Sequence, residues 1–292
     1  MDRRLFLLSS GAAVACSGAL IAGTWRSELA AIQATLGRGG RLGFAMLNTG
    51  TGQVLTHRPD ERFALCSTFK VALAAAWLAR ADRGRASLQQ EISFSETDLT
   101  DYAPVIRANL RLGQLPLERL CAAVVEASDN AAANLLLKPL GGPPGFTKIL
   151  RRWGDTVTRL DRYEEMLGTN IPGDLRDTTT PRAMLALMQR LLLGNALKPQ
   201  SRGKLIDWMT GATTGLQRLR AGLPSNWHVG DKTGNGLNGA ANDLAIAWPI
   251  KASPILITSY MSGGTASRPQ RDAAHAALGR LVAHYFEIGP YR

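Results

Sequence analysis

A serine and a lysine three residues apart stand at the start of an apolar stretch of the chain. The segment Ser67-Thr68-Phe69-Lys70 leads into a run rich in alanine and leucine that continues to Ala79. Residues three apart lie on one face of a helix, so we expect the Lys70 amine within hydrogen-bond reach of the Ser67 hydroxyl. A lysine with a depressed pKa can take the proton of a neighbouring serine. The pattern therefore predicts covalent catalysis by Ser67, placed at the start of a buried helix.

This spacing is a weak signal by itself, because it recurs at Ser201 and Lys204, where we expect a solvated helix. Other hydrolytic chemistries find less support. The four histidines form no closely spaced pair of the kind that holds zinc, and neither Cys66 nor Cys121 lies near them in the sequence. No Gly-x-Ser-x-Gly segment is present, so a Ser-His-Asp hydrolase is not indicated. A serine enzyme of this composition needs a proton acceptor other than histidine.

Two short polar segments follow Ser67, and each occurs once. They are Ser128-Asp129-Asn130, after an apolar helix, and Lys232-Thr233-Gly234, on a predicted strand. Alone, the first is compatible with a helix cap and the second with a strand whose glycine permits close approach of a ligand. In this order after Ser-x-x-Lys, they resemble the signature of class A β-lactamases and penicillin-binding proteins.

A fourth segment distinguishes the two branches of that superfamily. Residues 162–177 resemble the Ω-loop of class A β-lactamases, which transpeptidases generally lack. The resemblance implies that Glu164 activates the water that hydrolyses the acyl-enzyme, and that Arg162 and Asp177 form an ion pair that clamps the loop. Gly168 departs from the pattern, because many members carry there an asparagine that helps to hold this water.

The resemblance extends from about residue 26 to the final predicted helix and implies a mechanism. Ser67 attacks the lactam carbonyl, and the backbone N–H groups of Ser67 and Asn235 form the oxyanion hole. Ser128 passes a proton to the leaving nitrogen. The base that takes the Ser67 proton is either Lys70 or Glu164 acting through a water, and the sequence leaves both open.

The family pattern also implies a set of substrate-binding residues. Lys232, Thr233 and Arg218 would bind the substrate carboxylate, Asn130 its side-chain amide, Tyr102 would form a cleft wall, and Gly234 and Asn235 would border the reacting carbonyl. The resemblance implies no cofactor and no metal. Two alternatives remain: a D-Ala-D-Ala peptidase of the same superfamily, and a non-catalytic penicillin sensor.

The elements that must position these residues follow from periodicity. We predict strands at 41–48, 53–57, 227–230, 243–248 and 254–262, helices between about residues 67 and 208, and a final helix at 271–286. This order predicts an α/β (α+β) fold with an antiparallel sheet flanked by helices and built from both chain ends, 24–62 and 212–292. An all-α domain, 63–211, would be inserted and would include the Ω-loop. The active site would lie in the seam between the two.

Composition and charge limit the kinds of binding partner that we expect. The 292 residues have ordinary globular composition and a net charge of +11. The basic residues are scattered and no nucleic-acid-binding motif is present, so we expect a basic solvated surface and no nucleic-acid partner. We expect a monomer that acts on a small β-lactam substrate.

The first 23 residues are typical of an export signal rather than of a folded element. Arg3 and Arg4 precede Leu5-Phe6 and a short apolar run, which favours the twin-arginine route, with the Sec route as the alternative. We therefore expect a periplasmic protein without stable membrane insertion after processing. In that compartment the two cysteines after the leader could pair, although their spacing does not require it.

Overall fold

A five-stranded antiparallel sheet forms the centre of the protein. The computed structural model describes residues 25–288, and the side chains of residues 25–286. The strands are β1 (Arg41–Asn48), β2 (Val54–His57), β3 (Phe63–Ala64), β4 (Glu91–Ser93), β5 (Gln114–Pro116), β6 (Thr178–Thr179), β7 (His228–Asn235), β8 (Ala241–Trp248) and β9 (Ile255–Ser262). The central sheet has the order β2-β1-β9-β8-β7, so β7 lies at an edge. Strands from both parts of the chain thus meet in one sheet.

Helices cover both faces of this sheet. They are α1 (25–34), α2 (Phe69–Asp82), α3 (Pro104–Ala108), α4 (Leu117–Glu126), α5 (Asn130–Leu137), α6 (Gly142–Arg152), α7 (Pro181–Leu192), α8 (Pro199–Thr210), α9 (Leu219–Gly222) and α10 (Arg268–Ile288). Short 3₁₀ turns lie at 66–68, 96–98, 110–112, 138–140 and 166–168. The α+β architecture predicted from the sequence is confirmed.

Side-chain alternation along the strands builds two separate cores. Phe44 and Met46 of β1 face α1 and α10, where they join one apolar cluster with Leu278. Ala45 and Leu47 point the other way and join the large core of the helical region. The sheet is therefore a middle layer between two helical layers.

Helix α2 forms the centre of the helical region. Its residues from Phe69 to Ala79 are all buried, because alanine and leucine on every face let α4, α5 and α8 pack closely around it. A helix that is apolar all round has its position determined by its neighbours. The packing of α2 therefore also fixes Lys70, in its first turn, and Ser67, in the turn that precedes it.

Several sequence predictions can now be compared with the fold. The hairpin at 41–57 is confirmed, and the final helix begins three residues earlier than predicted. The purely helical middle is wrong in detail, because β4 pairs with β5 and β3 pairs with β6. These strands are two or three residues long, too short to show the alternation that predicts a strand. The predicted export signal lies outside the described residues.

The two cysteines of the described region do not pair. Cys66 and Cys121 are both free and buried in different parts of the protein. Burial raises the pKa of the Cys66 thiol to about 12, so it stays protonated beside Ser67. Ser201 also departs from expectation: it is buried, and its hydroxyl donates to Asp82 at 2.6 Å. Within residues 25–288, no helix combines the length and apolar character needed to cross a membrane.

Candidate active site

The predicted nucleophile lies where a strained turn meets α2. Ser67 is in the 3₁₀ turn 66–68, and the preceding Cys66 has a left-handed backbone with φ +44°. A non-glycine residue in this region indicates local strain that the surrounding structure must support. Gly234 of β7 packs against the turn so closely that a Cβ there would lie 3.2 Å from the Ser67 nitrogen. The glycine therefore permits the edge strand to reach the nucleophile.

The Lys70 side chain is fully buried and contacts three oxygen atoms. Its Nζ donates to the Ser128 carbonyl at 2.9 Å and to Asn130 Oδ1 at 2.5 Å, and it lies 3.0 Å from Glu164 Oε1. The Lys70–Ser67 hydrogen bond expected from helical spacing is not among the hydrogen bonds of residues 25–286. The Ser67 hydroxyl donates instead to Glu164 Oε1, at 3.4 Å. Ser67 precedes the α-helix in a tighter turn, so ideal helical geometry does not apply to it.

Two hydrogen bonds between the Glu164 backbone and one side chain position the Glu164 carboxylate. Asn134 of α5 accepts from the Glu164 N–H at 3.0 Å and donates to its carbonyl at 2.9 Å. This pair holds the loop backbone, while the Glu164 side chain is only 6% exposed. The sequence analysis assigned Asn134 no role.

The loop that carries Glu164 is closed at its base by an ion pair. Arg162 Nε lies 2.5 Å from Asp177 Oδ2, and the Asp177 side chain is fully buried. Asp177 Oδ1 also accepts from the backbone N–H groups of Asp161 and Arg162, at 2.7 and 3.0 Å. The two ends of the predicted Ω-loop are therefore joined through the Asp177 carboxylate, both of whose oxygens accept hydrogen bonds.

Further along, the same loop is fastened to the turn between β7 and β8. The Leu237 N–H donates to the Gly168 carbonyl at 2.8 Å, and Asn170 Nδ2 donates to the Asn238 carbonyl at 2.8 Å. In the other direction, Asn238 Nδ2 donates to the Thr169 carbonyl at 3.0 Å. These contacts position Glu164 relative to the edge strand.

The Ser128 segment stands at the start of α5. Ser128 has φ +59°, and Asp129 caps the helix by accepting from the Ala132 N–H at 2.8 Å. The second Asp129 oxygen accepts from the N–H groups of Val105 and Ile106, at 2.8 and 3.0 Å. Asp129 thereby connects the site to the loop that carries Tyr102.

Lys232 reaches the site from the edge strand β7. Its buried Nζ donates to Ser128 Oγ at 2.9 Å and to the Thr233 carbonyl at 2.9 Å. Burial, reinforced by the positive charge of Lys70, lowers the pKa of Lys232 to about 7. Ser67, Lys70, Ser128, Glu164 and Lys232 are thus brought together by hydrogen bonds.

An open cavity of about 500 Å³ exposes the outer part of this site. It is lined by Ser67, Tyr102, Ser128, Asn130, Thr213, Thr214, Thr233, Gly234, Asn235 and Arg268. The sequence did not single out Thr213, Thr214 or Arg268. Thr214 shares a hydrogen bond of 2.7 Å with Thr233, and Arg268 begins α10. No short motif marks these residues, because they come from separate chain segments.

Arg218 lies beneath the cavity rather than on its wall. Its side chain is 3% exposed, and its Nε lies 2.6 Å from Asp272 Oδ1. Three further hydrogen bonds go to the carbonyls of Gly234 and Asn242 and to the side-chain oxygen of Asn235. In this arrangement the guanidinium supports β7 and orients Asn235.

Glu165 is a further residue that the sequence analysis did not place. Its Oε1 accepts from the Tyr102 N–H at 3.1 Å and from Asn130 Nδ2 at 3.4 Å. It therefore links the loop to the opposite cavity wall, while the preceding Glu164 points to Ser67. Among the described residues, no group of three or more His, Cys, Asp or Glu could hold a metal ion.

The sequence matches known proteins over most of its length. The family described as "Beta-lactamase enzyme family" matches residues 26–286. The carbapenem-hydrolyzing β-lactamase KPC of Klebsiella oxytoca is 45% identical over 84% of this chain and 83% of its own. β-Lactamase L2 of Stenotrophomonas maltophilia is 42% identical over 97% and 98%, respectively. The chain belongs to the β-lactamase family.

Solved structures narrow the family to a class. The class A β-lactamase of the last common ancestor of Gram-negative bacteria (GNCA4) is 49% identical, with a TM-score of 0.87. The match covers 90% of this chain and 99% of that one. The protein is a class A serine β-lactamase, a hydrolase that acts on β-lactams.

Proposed function

We propose that the protein opens the β-lactam ring through an acyl-enzyme on Ser67. The observation that carries this proposal is the hydrogen-bonded group of Ser67, Lys70, Glu164, Ser128 and Lys232 at the edge of one cavity. Ser67 Oγ would attack the lactam carbonyl carbon, and the carbon–nitrogen bond of the ring would break. The developing oxyanion would be stabilised by the backbone N–H groups of Ser67 and Asn235, which border the cavity.

The contacts suggest a path for each proton. The Ser67 hydroxyl donates to Glu164, which favours this carboxylate as the acceptor, directly or through a water. Lys70 Nζ lies 3.0 Å from the same carboxylate and forms an ion pair with it. On the leaving side, Ser128 would give its proton to the ring nitrogen and recover one from Lys232, 2.9 Å away. The depressed pKa of Lys232 makes that transfer easier near neutral pH.

Glu164 would also carry the second half of the reaction. The proton that Glu164 took from Ser67 would first return to Lys232 through solvent, so that the carboxylate is again a base. A water between this carboxylate and the acyl carbon would then lose a proton to Glu164 and attack the acyl carbon, and Ser67 Oγ would leave with that proton. The tether from Asn134 and the Arg162–Asp177 ion pair support this role, since they hold the carboxylate beside Ser67. The alternatives, a D-Ala-D-Ala peptidase or a penicillin sensor, would form the β-lactam adduct but would not hydrolyse it quickly.

Substrate recognition would divide between the cavity walls. Thr233 would bind the substrate carboxylate on one wall, with the charge of the buried Lys232 behind it, and Asn130 and Tyr102 would bind the side chain on the opposite wall. Arg218 was expected to contact the carboxylate directly. Its side chain is buried beneath the cavity and makes four hydrogen bonds within the protein, so we assign it instead to positioning Asn235. The arginine that lines the cavity wall is Arg268.

Mass measurement of the intact protein tests the proposal. Brief mixing with benzylpenicillin and acid quenching should give an adduct of one penicillin mass, located by peptide mapping on the peptide that contains Ser67. Ser67→Ala should give no adduct and no hydrolysis, whereas Ser201→Ala, at the second Ser-x-x-Lys, should retain both. Hydrolysis at the native rate by Ser67→Ala would overturn the proposal.

We further propose that the protein is exported and acts in the periplasm as a monomer, without a nucleic-acid partner. The support for export is the sequence of residues 1–23, with its paired Arg3 and Arg4. The expectation of a monomer and of no nucleic-acid partner follows from the small substrate and from the absence of a nucleic-acid-binding motif.

A further inference from the structure

A second cavity lies at the far end of α2 from Ser67. It has a volume of about 490 Å³ and lies between the C-terminal ends of α2 and α6. Four arginines line it: Arg80, Arg83, Arg85 and Arg152. Its apolar wall includes Ile149 and the largely buried Trp153. We call this space the arginine cavity.

The positive charge of the arginine cavity is not balanced by neighbouring acids. None of the four arginines forms an ion pair with a residue in the described part of the chain, and no acidic residue lines the cavity. The nearest acid in sequence, Asp82, is engaged elsewhere, since it accepts from the Lys198 N–H and from Ser201 Oγ. The four positive charges therefore face each other across an open space.

Helix dipoles account for only part of this arrangement. Arg80 and Arg152 lie in the last turns of α2 and α6, where a cation is favourable, but Arg83 and Arg85 lie beyond the end of α2. Arg83 donates to the Ala79 carbonyl at 3.1 Å. The side chains of Arg85 and Arg152 have no hydrogen bond to another described residue.

Arg80 is half-buried, whereas the other three arginines are exposed. Its guanidinium carbon lies 5.2 Å from the centre of the Trp77 ring, which fixes the plane of the group. Its Nε is buried without a hydrogen-bond partner among the described residues. A buried donor without an acceptor is costly, and the face of Trp77 next to the guanidinium offsets part of that cost.

We propose that the arginine cavity binds a phosphate-bearing ligand with more than one negative charge. The planar guanidinium group donates two parallel hydrogen bonds to phosphate oxygens, so several arginines around one space suit a multivalent phosphate better than a single carboxylate. The wall formed by Ile149 and Trp153 can accept an apolar part of the same ligand. A free phosphate compound and a phospholipid headgroup share this chemistry. The proposal does not depend on the reaction at Ser67.

Calorimetric titration of the full chain with sodium tripolyphosphate, at constant ionic strength, tests the proposal. The native protein should bind one tripolyphosphate, and R85Q/R152Q should bind at least about tenfold more weakly, because two charge-assisted contacts are lost. R38Q/R111Q is the matched control: it removes the same charge from exposed arginines outside the cavity and should bind like the native protein. Both pairs should hydrolyse benzylpenicillin at the native rate.

Vesicles of phosphatidylcholine with and without phosphatidic acid distinguish the two sources. Co-sedimentation that requires phosphatidic acid and is lost in R85Q/R152Q alone supports the proposal with a lipid ligand. Equal weakening in both variant pairs would indicate unspecific attraction and overturn it. Absence of binding to either probe, or competition between tripolyphosphate and benzylpenicillin for the active site, would also overturn it.

Discussion

The carboxylate of Glu164 lies 3.0 Å from the ammonium of Lys70, and both groups are almost completely buried. The same carboxylate oxygen accepts the hydrogen bond of Ser67, at 3.4 Å. One oxygen therefore faces both the Ser67 hydroxyl and the Lys70 amine. Because the ion pair is shielded from water, removal of either partner would leave an uncompensated buried charge. This relationship makes Glu164 the residue whose substitution is most informative.

Glu164→Gln should separate acylation from deacylation. The amide keeps the shape of the side chain but cannot take a proton from water, so deacylation should fall by roughly 10²–10⁴-fold. A Ser67 adduct should accumulate with benzylpenicillin and be visible by intact mass. Glu165→Gln is the matched control, since its carboxylate contacts Tyr102 and Asn130 instead of Ser67. Native turnover by Glu164→Gln would show that another group is the base.

The lowered pKa of Lys232 predicts that substrate affinity falls at alkaline pH. Its pKa of about 7 means that the side chain is a cation below this pH and neutral above it, and only the cation attracts a carboxylate. KM for benzylpenicillin should therefore rise above about pH 7. Lys232→Arg stays charged, so this rise should disappear in the variant. Circular dichroism should verify the fold of the variant, and persistence of the same alkaline rise would assign it to a different group.

The two arginines near the cavity should differ in their kinetic effect. Arg268→Gln removes a charge from the cavity wall and should raise KM by about tenfold with little change in kcat, because one contact to a charged group is lost. Arg218→Gln releases Asn235 and leaves Asp272 without its buried partner, so kcat and thermal stability should both fall. Steady-state kinetics and thermal unfolding distinguish these outcomes. A rise in KM for Arg218→Gln, together with a fall in kcat and stability for Arg268→Gln, would show that Arg218 binds the substrate carboxylate.

Gly168 offers a test of how the deacylating water is held. A Cβ at this position would lie 3.5 Å from the Gly236 Cα, an ordinary contact, so Gly168→Asn should fold normally. The asparagine would add a polar group beside the proposed water. We expect it to change deacylation of slowly hydrolysed β-lactams more than that of fast ones, measured by pre-steady-state mixing. An equal effect on both groups of substrates would argue against a loosely held water.

The export prediction can be tested in cells. Replacing Arg3 and Arg4 by lysine should block export if the twin-arginine route is used, because that route requires the arginine pair. β-Lactamase activity should then remain in the cytoplasmic fraction. Replacing Arg26 and Arg38 by lysine, downstream of the leader, is the control and should leave export unchanged. Periplasmic activity of the Arg3/Arg4 variant would favour the Sec route.

The sequence alone determined the longer elements and indicated the candidate reacting groups. Alternating residues at 41–57 define the hairpin, and the alanine and leucine residues after Phe69 define a buried helix, since both patterns are local. The polar segments that include Ser67, Ser128 and Lys232 were recognisable because each is contiguous in the chain. Residues of that kind can be found without knowing how the chain folds.

Only the tertiary structure decided which of these groups touch. Lys70 contacts Glu164 rather than Ser67, although 94 residues separate Lys70 from Glu164 and only three separate it from Ser67. Arg218 is turned beneath β7, and Arg268 takes the place on the cavity wall. The physical reason is that a side chain's partner depends on the packing of whole elements, which arises from contacts distant in sequence. Local spacing specifies the direction of a side chain on its own helix or strand, but not what faces it.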